Sequence, residues 1–118
     1  MEKILRQSLL YDFYGELLTE HQKNIYEEHV LNDVGLSEIA SEMGVSRQSV
    51  HDLVKRCDNI LEGYETKLKL IDKFMTAKAK VKKIHDITKQ FDLLDISDDE
   101  RKLINNINEL SNEILEEM

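Results

Sequence analysis

LSEIASEMGVSRQSVHDLVKRC, residues 36–57, reads as two short helices around a tight corner. Ser37 is the expected N-cap of the first, which runs to about Met43. Gly44 supplies the positive φ that a sharp helix ending requires. Ser46 then caps a second helix that starts at Arg47. Ile39, Ala40, Val45, Val50, Leu53 and Val54 can point into one core, and the small Ala40 lets the two helices cross closely. This is the pattern of a helix-turn-helix, whose second helix ordinarily enters a nucleic-acid groove. The pattern specifies a shape better than it specifies a use.

Working outward, residues 2–14 read as a helix with Ile4, Leu5, Leu9, Tyr11 and Phe13 mostly on one side. Thr19 and Gln22 make a capping box that opens the next helix, with Ile25, Tyr26, His29 and Val30 on its inner face. Asn32, Asp33 and Gly35 form the turn into the motif. Beyond Arg47 the apolar stripe continues to Leu61, and Gly63 is the expected break. The chain therefore divides into a helix-turn-helix domain with an N-terminal helix, residues 1–63, and a C-terminal helical extension, residues 64–118. A helix over 64–91 carries a seam of Leu70, Phe74, Ala77, Val81, Ile84, Thr88 and Phe91. Asp92 to Ile96 form a linker, and Ser97 with Glu100 makes a second capping box. The last helix, 98–116, shows Leu103, Ile107, Leu110 and Ile114 at spacings of four, three and four. The two seams can pair with each other or across a dimer.

The composition fits an all-α fold. The chain has no proline and no tryptophan, and its four glycines fall at expected helix breaks. No stretch approaches the ~20 apolar residues of a membrane span, and the N-terminus lacks the core of a signal peptide. A cytoplasmic protein is expected. Cys57 is the only cysteine, on a core stripe, and reads as a buried reduced thiol. The net charge of −8 is segregated. Residues 1–46 carry three Lys/Arg against nine Asp/Glu, residues 47–91 eleven against six, and residues 92–118 two against nine. Such a protein engages a polyanion only through its basic middle.

Within that middle, Gln48, Asp52, Lys55 and Asn59 step outward on the second motif helix, with Arg47 at its start and His51 on the flank. Arg47, Gln48, His51, Lys55 and Arg56 are the candidate nucleic-acid-binding side chains, of types that reach bases or phosphates. Asp52 opposes phosphate, and residues 17–62 hold four Lys/Arg against nine Asp/Glu, so phosphate neutralisation is weakly provided. Lys67, Lys73, Lys78, Lys80, Lys82 and Lys83 are candidate RNA or partner contacts, spread over several helix faces, or else a solvated flank. The tyrosines and Phe13 fit core positions better than a base-stacking platform. The four histidines lack metal-ligand spacing, and no phosphate loop precedes a helix. No enzyme, metal or cofactor is expected.

Residues 17–61 resemble region 4 of bacterial sigma factors, the module that reads the −35 promoter element. A closer similarity is to the YlxM-like family of small bacterial proteins. It is carried by Tyr11-Asp12-Phe13-Tyr14, Leu17-Leu18-Thr19, Leu36-Ser37-Glu38-Ile39-Ala40, Val45-Ser46-Arg47-Gln48, Lys55-Arg56, Tyr64-Glu65 and Lys67-Leu68. The resemblance implies an all-helical homodimer, produced alongside the signal recognition particle GTPase, that assists or regulates targeting through the particle's RNA or its GTPase. A sequence-specific DNA-binding transcription regulator is the alternative. Residues 71–118 match no family pattern.

Overall fold

The structure, a computed structural model, describes residues 2–118. Six helices follow one another: α1 (Lys3–Tyr14), α2 (Glu20–Tyr26), α3 (Leu36–Met43), α4 (Arg47–Leu68), α5 (Leu70–Lys89) and α6 (Asp98–Glu116). Short 3-10 turns occupy Gly15–Leu17 and Gln90–Leu93, and a π-turn, Glu27–Leu31, extends α2. The described residues contain no strand. They form two compact units, one ending at Ile71 and the other spanning Asp72–Met118.

Three of the six helices, α2, α4 and α6, start on the expected side-chain caps. Thr19 and Gln22 satisfy each other's backbone N–H groups, as do Ser97 and Glu100. The Ser46 hydroxyl accepts the Ser49 N–H at 3.1 Å, and Gly44 turns the corner with φ 70°. Ser37 departs from expectation. α3 begins one residue earlier, at Leu36, and Gly35 holds the cap position in extended conformation without a side-chain cap. Ser37 therefore lies inside the first turn.

The first unit packs around Leu10, Tyr14, Ile25, Tyr26, Ile39, Val50, Cys57 and Leu61, all buried. Val45 is not among them: it is 44% exposed at the corner, and Leu53 is only half-buried. In α1 the inward face is Gln7, Leu10 and Tyr14, while Ile4 and Leu5 lie exposed. Gln7 goes inward because it is paired. Its amide donates to both Asp58 carboxylate oxygens at 3.0 and 3.2 Å, and the Tyr26 hydroxyl donates to the same Oδ1 at 2.7 Å. Seven residues on, the Tyr14 hydroxyl donates to Glu65 Oε1 at 2.5 Å. Both pairs join residues 51 apart, so α1 and α4 run in the same direction.

Gly63 does not break α4, which runs unbroken for 22 residues. A glycine inside a helix costs about 1 kcal/mol, less than unburying Leu61 on one side and Glu65 on the other. The chain breaks instead at Lys69, which adopts φ 55°. The reason lies in the next helix start. Glu65 Oε1 accepts the Ile71 N–H at 3.0 Å, and the Tyr14 hydroxyl oxygen accepts the Leu70 N–H at 3.1 Å. Two N–H groups of the first turn of α5 are thus capped from outside the helix.

In the second unit, Val81 and Thr88 are buried on α5, and Phe74, Ala77 and Ile84 are half-buried beside them, as their seam predicts. Leu70, at the head of that seam, is 42% exposed. α6 is turned differently from expectation. Leu103, Ile107, Leu110 and Ile114 are 48–65% exposed, and the less exposed face is Ile104, Asn108, Ser111 and Leu115. Polar pairs hold that register. The Thr88 hydroxyl donates to Asn108 Oδ1 at 2.9 Å, and His85 Nε2 lies 3.2 Å from Ser111 Oγ.

An added Cβ at Gly63 meets nothing within 4 Å. Gly63→Ala should therefore raise stability by about 0.5–1 kcal/mol in urea unfolding, where a true break at Gly63 would make it destabilising. Glu65→Ala strands the Tyr14 hydroxyl and the Ile71 N–H. It should cost about 1–3 kcal/mol for each orphaned group in the same measurement.

Candidate nucleic-acid interface

The Ser46 cap and the buried row of Val50, Val54, Cys57 and Leu61 fix the rotation of α4 about its axis. The opposite side is set by the same 3.6-residue period. Gln48, Lys55 and Arg56 are exposed on that side, His51 is exposed on its flank, and Arg47 is exposed at the helix start. Arg47, His51 and Lys55 follow at i, i+4 and i+8 and make one strip. Gln48 and Asp52 make the adjoining one, tied by a 2.9 Å hydrogen bond from the Gln48 amide to Asp52 Oδ1. Asp52 also lies 3.6 Å from His51 Nδ1. The single acid on this face is thus engaged by its neighbours, and Asn59 continues the line of Lys55 by one turn.

The acidic count of the first unit misstates what this face presents. Asp58, Glu62 and Glu65 leave α4 toward α1. Arg6 grips Glu62 with two hydrogen bonds, both 2.9 Å, in the bidentate geometry that suits a guanidinium and a carboxylate. The Arg6 guanidinium holds the Glu62 carboxyl below the usual carboxylate range. Burial, then the hydrogen bond to Asp58, pushes the Tyr26 phenol up, and burial with Glu27 does the same to Tyr11. The acid of α4 is spent on internal pairing, leaving Arg47, Lys55 and Arg56 against Asp52 outside.

Beside the strip a cleft of about 450 Å³ opens between α1, the π-turn and α4. Lys3, His29, His51 and Lys55 face it together with Asp33 and Asp58. His29 is oriented by its Nδ1, 2.8 Å from the Val34 carbonyl oxygen. Sequence reasoning missed Lys3 and the cleft, because both depend on α1 lying along α4. Asn59 was recognisable one turn beyond Lys55.

The lysines divide between the two units. Lys67 lies in the first unit, whereas Lys73, Lys78, Lys80, Lys82 and Lys83 are exposed on α5 in the second. On α5, Lys73 and Lys80 share a face by their spacing of seven, and Lys78 and Lys82 share another by their spacing of four. Cys57 is wholly buried, and desolvation pushes its thiol up to about 11, which disfavours the reactive thiolate. Among the described residues no three His, Cys, Asp or Glu side chains converge on a metal-sized site. No helix among them is long and apolar enough to cross a membrane.

A helix-turn-helix family model, UPF0122, described as YlxM / p13 like, matches residues 1–113, so the family pattern extends through residues 71–113, where none was recognised in the sequence. A UPF0122 protein of Acetivibrio thermocellus is 37% identical over 116 residues, covering 98% of this chain and 99% of that relative. A second, from Shouchella clausii, is 47% identical over 79 residues, 67% of this chain and 72% of the relative. A third, from Caldanaerobacter subterraneus, is 45% identical over 85 residues, 72% and 73% of the two chains.

Two outcomes follow from the pairing of α4. Glu62 is depressed in the folded state, so its contribution is present above its unfolded value, about 4.3, and is lost as pH falls through the folded value. The stability gap between wild type and Arg6→Met should be widest near neutrality and should close below about pH 4, as followed by urea unfolding across pH. A thiol reagent at pH 8 should modify Cys57 only as fast as the protein unfolds.

Proposed function

The chain belongs to the YlxM / p13-like helix-turn-helix family, and from that premise we propose that it is a cytoplasmic accessory or regulatory protein of the signal recognition particle pathway, contacting the particle's RNA through α4. The observation that carries the reading is the continuity of the Arg47–His51–Lys55 strip with the polar cleft beside it. Strip and cleft together suit single-stranded or looped RNA. Cationic side chains take the backbone, and an unstacked base enters the cleft, where carboxylate and imidazole edges can hydrogen-bond it. Duplex DNA offers nothing to place in such a cleft, and three cations against one carboxylate provide little of the phosphate neutralisation that DNA affinity requires.

The particle's GTPase is the second partner implied by the resemblance, and the α5 lysines, Lys73, Lys78, Lys80, Lys82 and Lys83, are the side chains offered to it or to more RNA. A homodimer belongs to the same reading, and Ile4 and Leu5 on α1 are exposed apolar side chains that a second copy would cover. The protein acts by binding, without catalysis or cofactor. Sequence-specific DNA recognition stands as the second reading, since the α3–Gly44–α4 corner presents α4 as a recognition helix.

The test is a titration of labelled signal recognition particle RNA against random-sequence duplex DNA, at low and near-physiological salt. Selective RNA binding is expected to survive the higher salt. Arg47→Ala with Lys55→Ala should weaken it at least tenfold while leaving the melting temperature unchanged. Enrichment of one DNA sequence from the random pool would overturn the reading and make the same face a promoter reader.

A further inference from the structure

α6 is amphipathic in a way that its own unit does not use. Its inward face is half polar: Ile104, Asn108, Ser111 and Leu115, with Asn108 and Ser111 bound to α5. Roughly 100° around the helix, Leu103, Ile107, Leu110 and Ile114 form a second face at spacings of four, three and four, and all four lie about half exposed or more. This is a coiled-coil seam, about 16 Å long at 1.5 Å per residue. Exposed side chains of this size in one row mark an interaction surface rather than scattered surface apolarity.

Charge says what covers it. Asp99 and Glu113 lie on the solvent edge of the seam, at the positions that flank a coiled-coil partner. α6 as a whole carries six Asp/Glu against Arg101 and Lys102, and Arg101 lies 3.5 Å from Asp92. Two α6 helices brought together would join two acidic rods with little opposing charge at their rims. A partner helix with basic flanks would meet opposite charge near both ends of the seam.

We propose that the Leu103–Ile107–Leu110–Ile114 face of α6 is a docking site for a basic amphipathic helix of a partner protein, about three turns long. The partner's apolar residues fill the seam, and its Lys or Arg side chains lie against Asp99 and Glu113. This surface is separate from the α4 face, and the proposal stands or falls independently of RNA binding there.

The probe is a labelled synthetic helix with leucine at the seam positions and lysine at the flanks. It is titrated into the full chain alongside the same peptide with glutamate at the flanks. The lysine peptide is expected to bind at least tenfold more tightly, with the advantage shrinking as salt rises. Leu110→Asp should abolish binding without lowering the melting temperature, because Leu110 is 53% exposed. Asp99→Lys with Glu113→Lys should reverse the preference between the two peptides, a readout that does not need the seam disrupted. Equal binding of both peptides would overturn the proposal, as would lysine-peptide binding indifferent to Leu110→Asp. Sedimentation of the wild-type chain as a dimer that Leu110→Asp dissociates would also overturn it, in favour of a second copy on this face.

Discussion

The carboxylate of Glu65 is the group on which the first unit closes. It is 8% exposed, and burying a carboxylate is costly unless donors surround it. Here the Tyr14 hydroxyl and the Ile71 N–H reach the same oxygen, at 2.5 and 3.0 Å, and the positive end of α5 adds its dipole. Burial and this hydrogen bond push the Tyr14 phenol up, so the proton stays on the tyrosine. One side chain on α4 therefore holds α1 alongside and fixes where α5 begins. With α1 in place, the cleft beside Lys55 exists. Without it, α4 would present the same residues on an open rod.

The same arrangement reconciles an acidic protein with a basic face. Carboxylates tied to a neighbouring helix leave the exposed cations of α4 with few free acids beside them. Asp58, Glu62 and Glu65 recur at four and three along α4, the period of its α1-facing edge, and Arg6, Gln7 and Tyr14 meet them. Charge summed along the sequence cannot register this, because sign matters less than the direction in which each side chain leaves the helix.

How far the fold can be read without coordinates depends on how local each determinant is. The helix-turn-helix corner was legible because Gly44, Ser46 and the apolar spacing all act within one or two turns. The capping boxes at Thr19 and Ser97 were legible for the same reason. Gly63 misled, since its helix is held by Leu61 and Glu65 packing against α1, far off in sequence. The face of α6 misled too. Apolar periodicity pointed to Leu103 and Ile107, but Thr88 and His85 select the face that bears Asn108 and Ser111, and no hydrophobic pattern can announce a hydrogen-bonded register. The exposed set Arg47, Gln48, His51, Lys55 and Arg56 followed directly from helical phase. The cleft did not, as it is made by three segments, α1, the π-turn with the loop after it, and α4, brought together by the fold.

The offset of 51 residues between the paired positions of α1 and α4 also has a kinetic meaning. During synthesis α1 leaves the ribosome first, yet Gln7 and Tyr14 find no partner until Asp58 and Glu65 have followed. The first unit cannot complete its α1–α4 pairing until α4 has emerged, and that long-range contact carries the entropy of its loop. In the second unit, Thr88 and His85 pair with Asn108 and Ser111 only 20 and 26 residues away, so it assembles by short-range closure. The long-range pairing thus lies in the half that emerges first, and the short-range pairing in the half that emerges last.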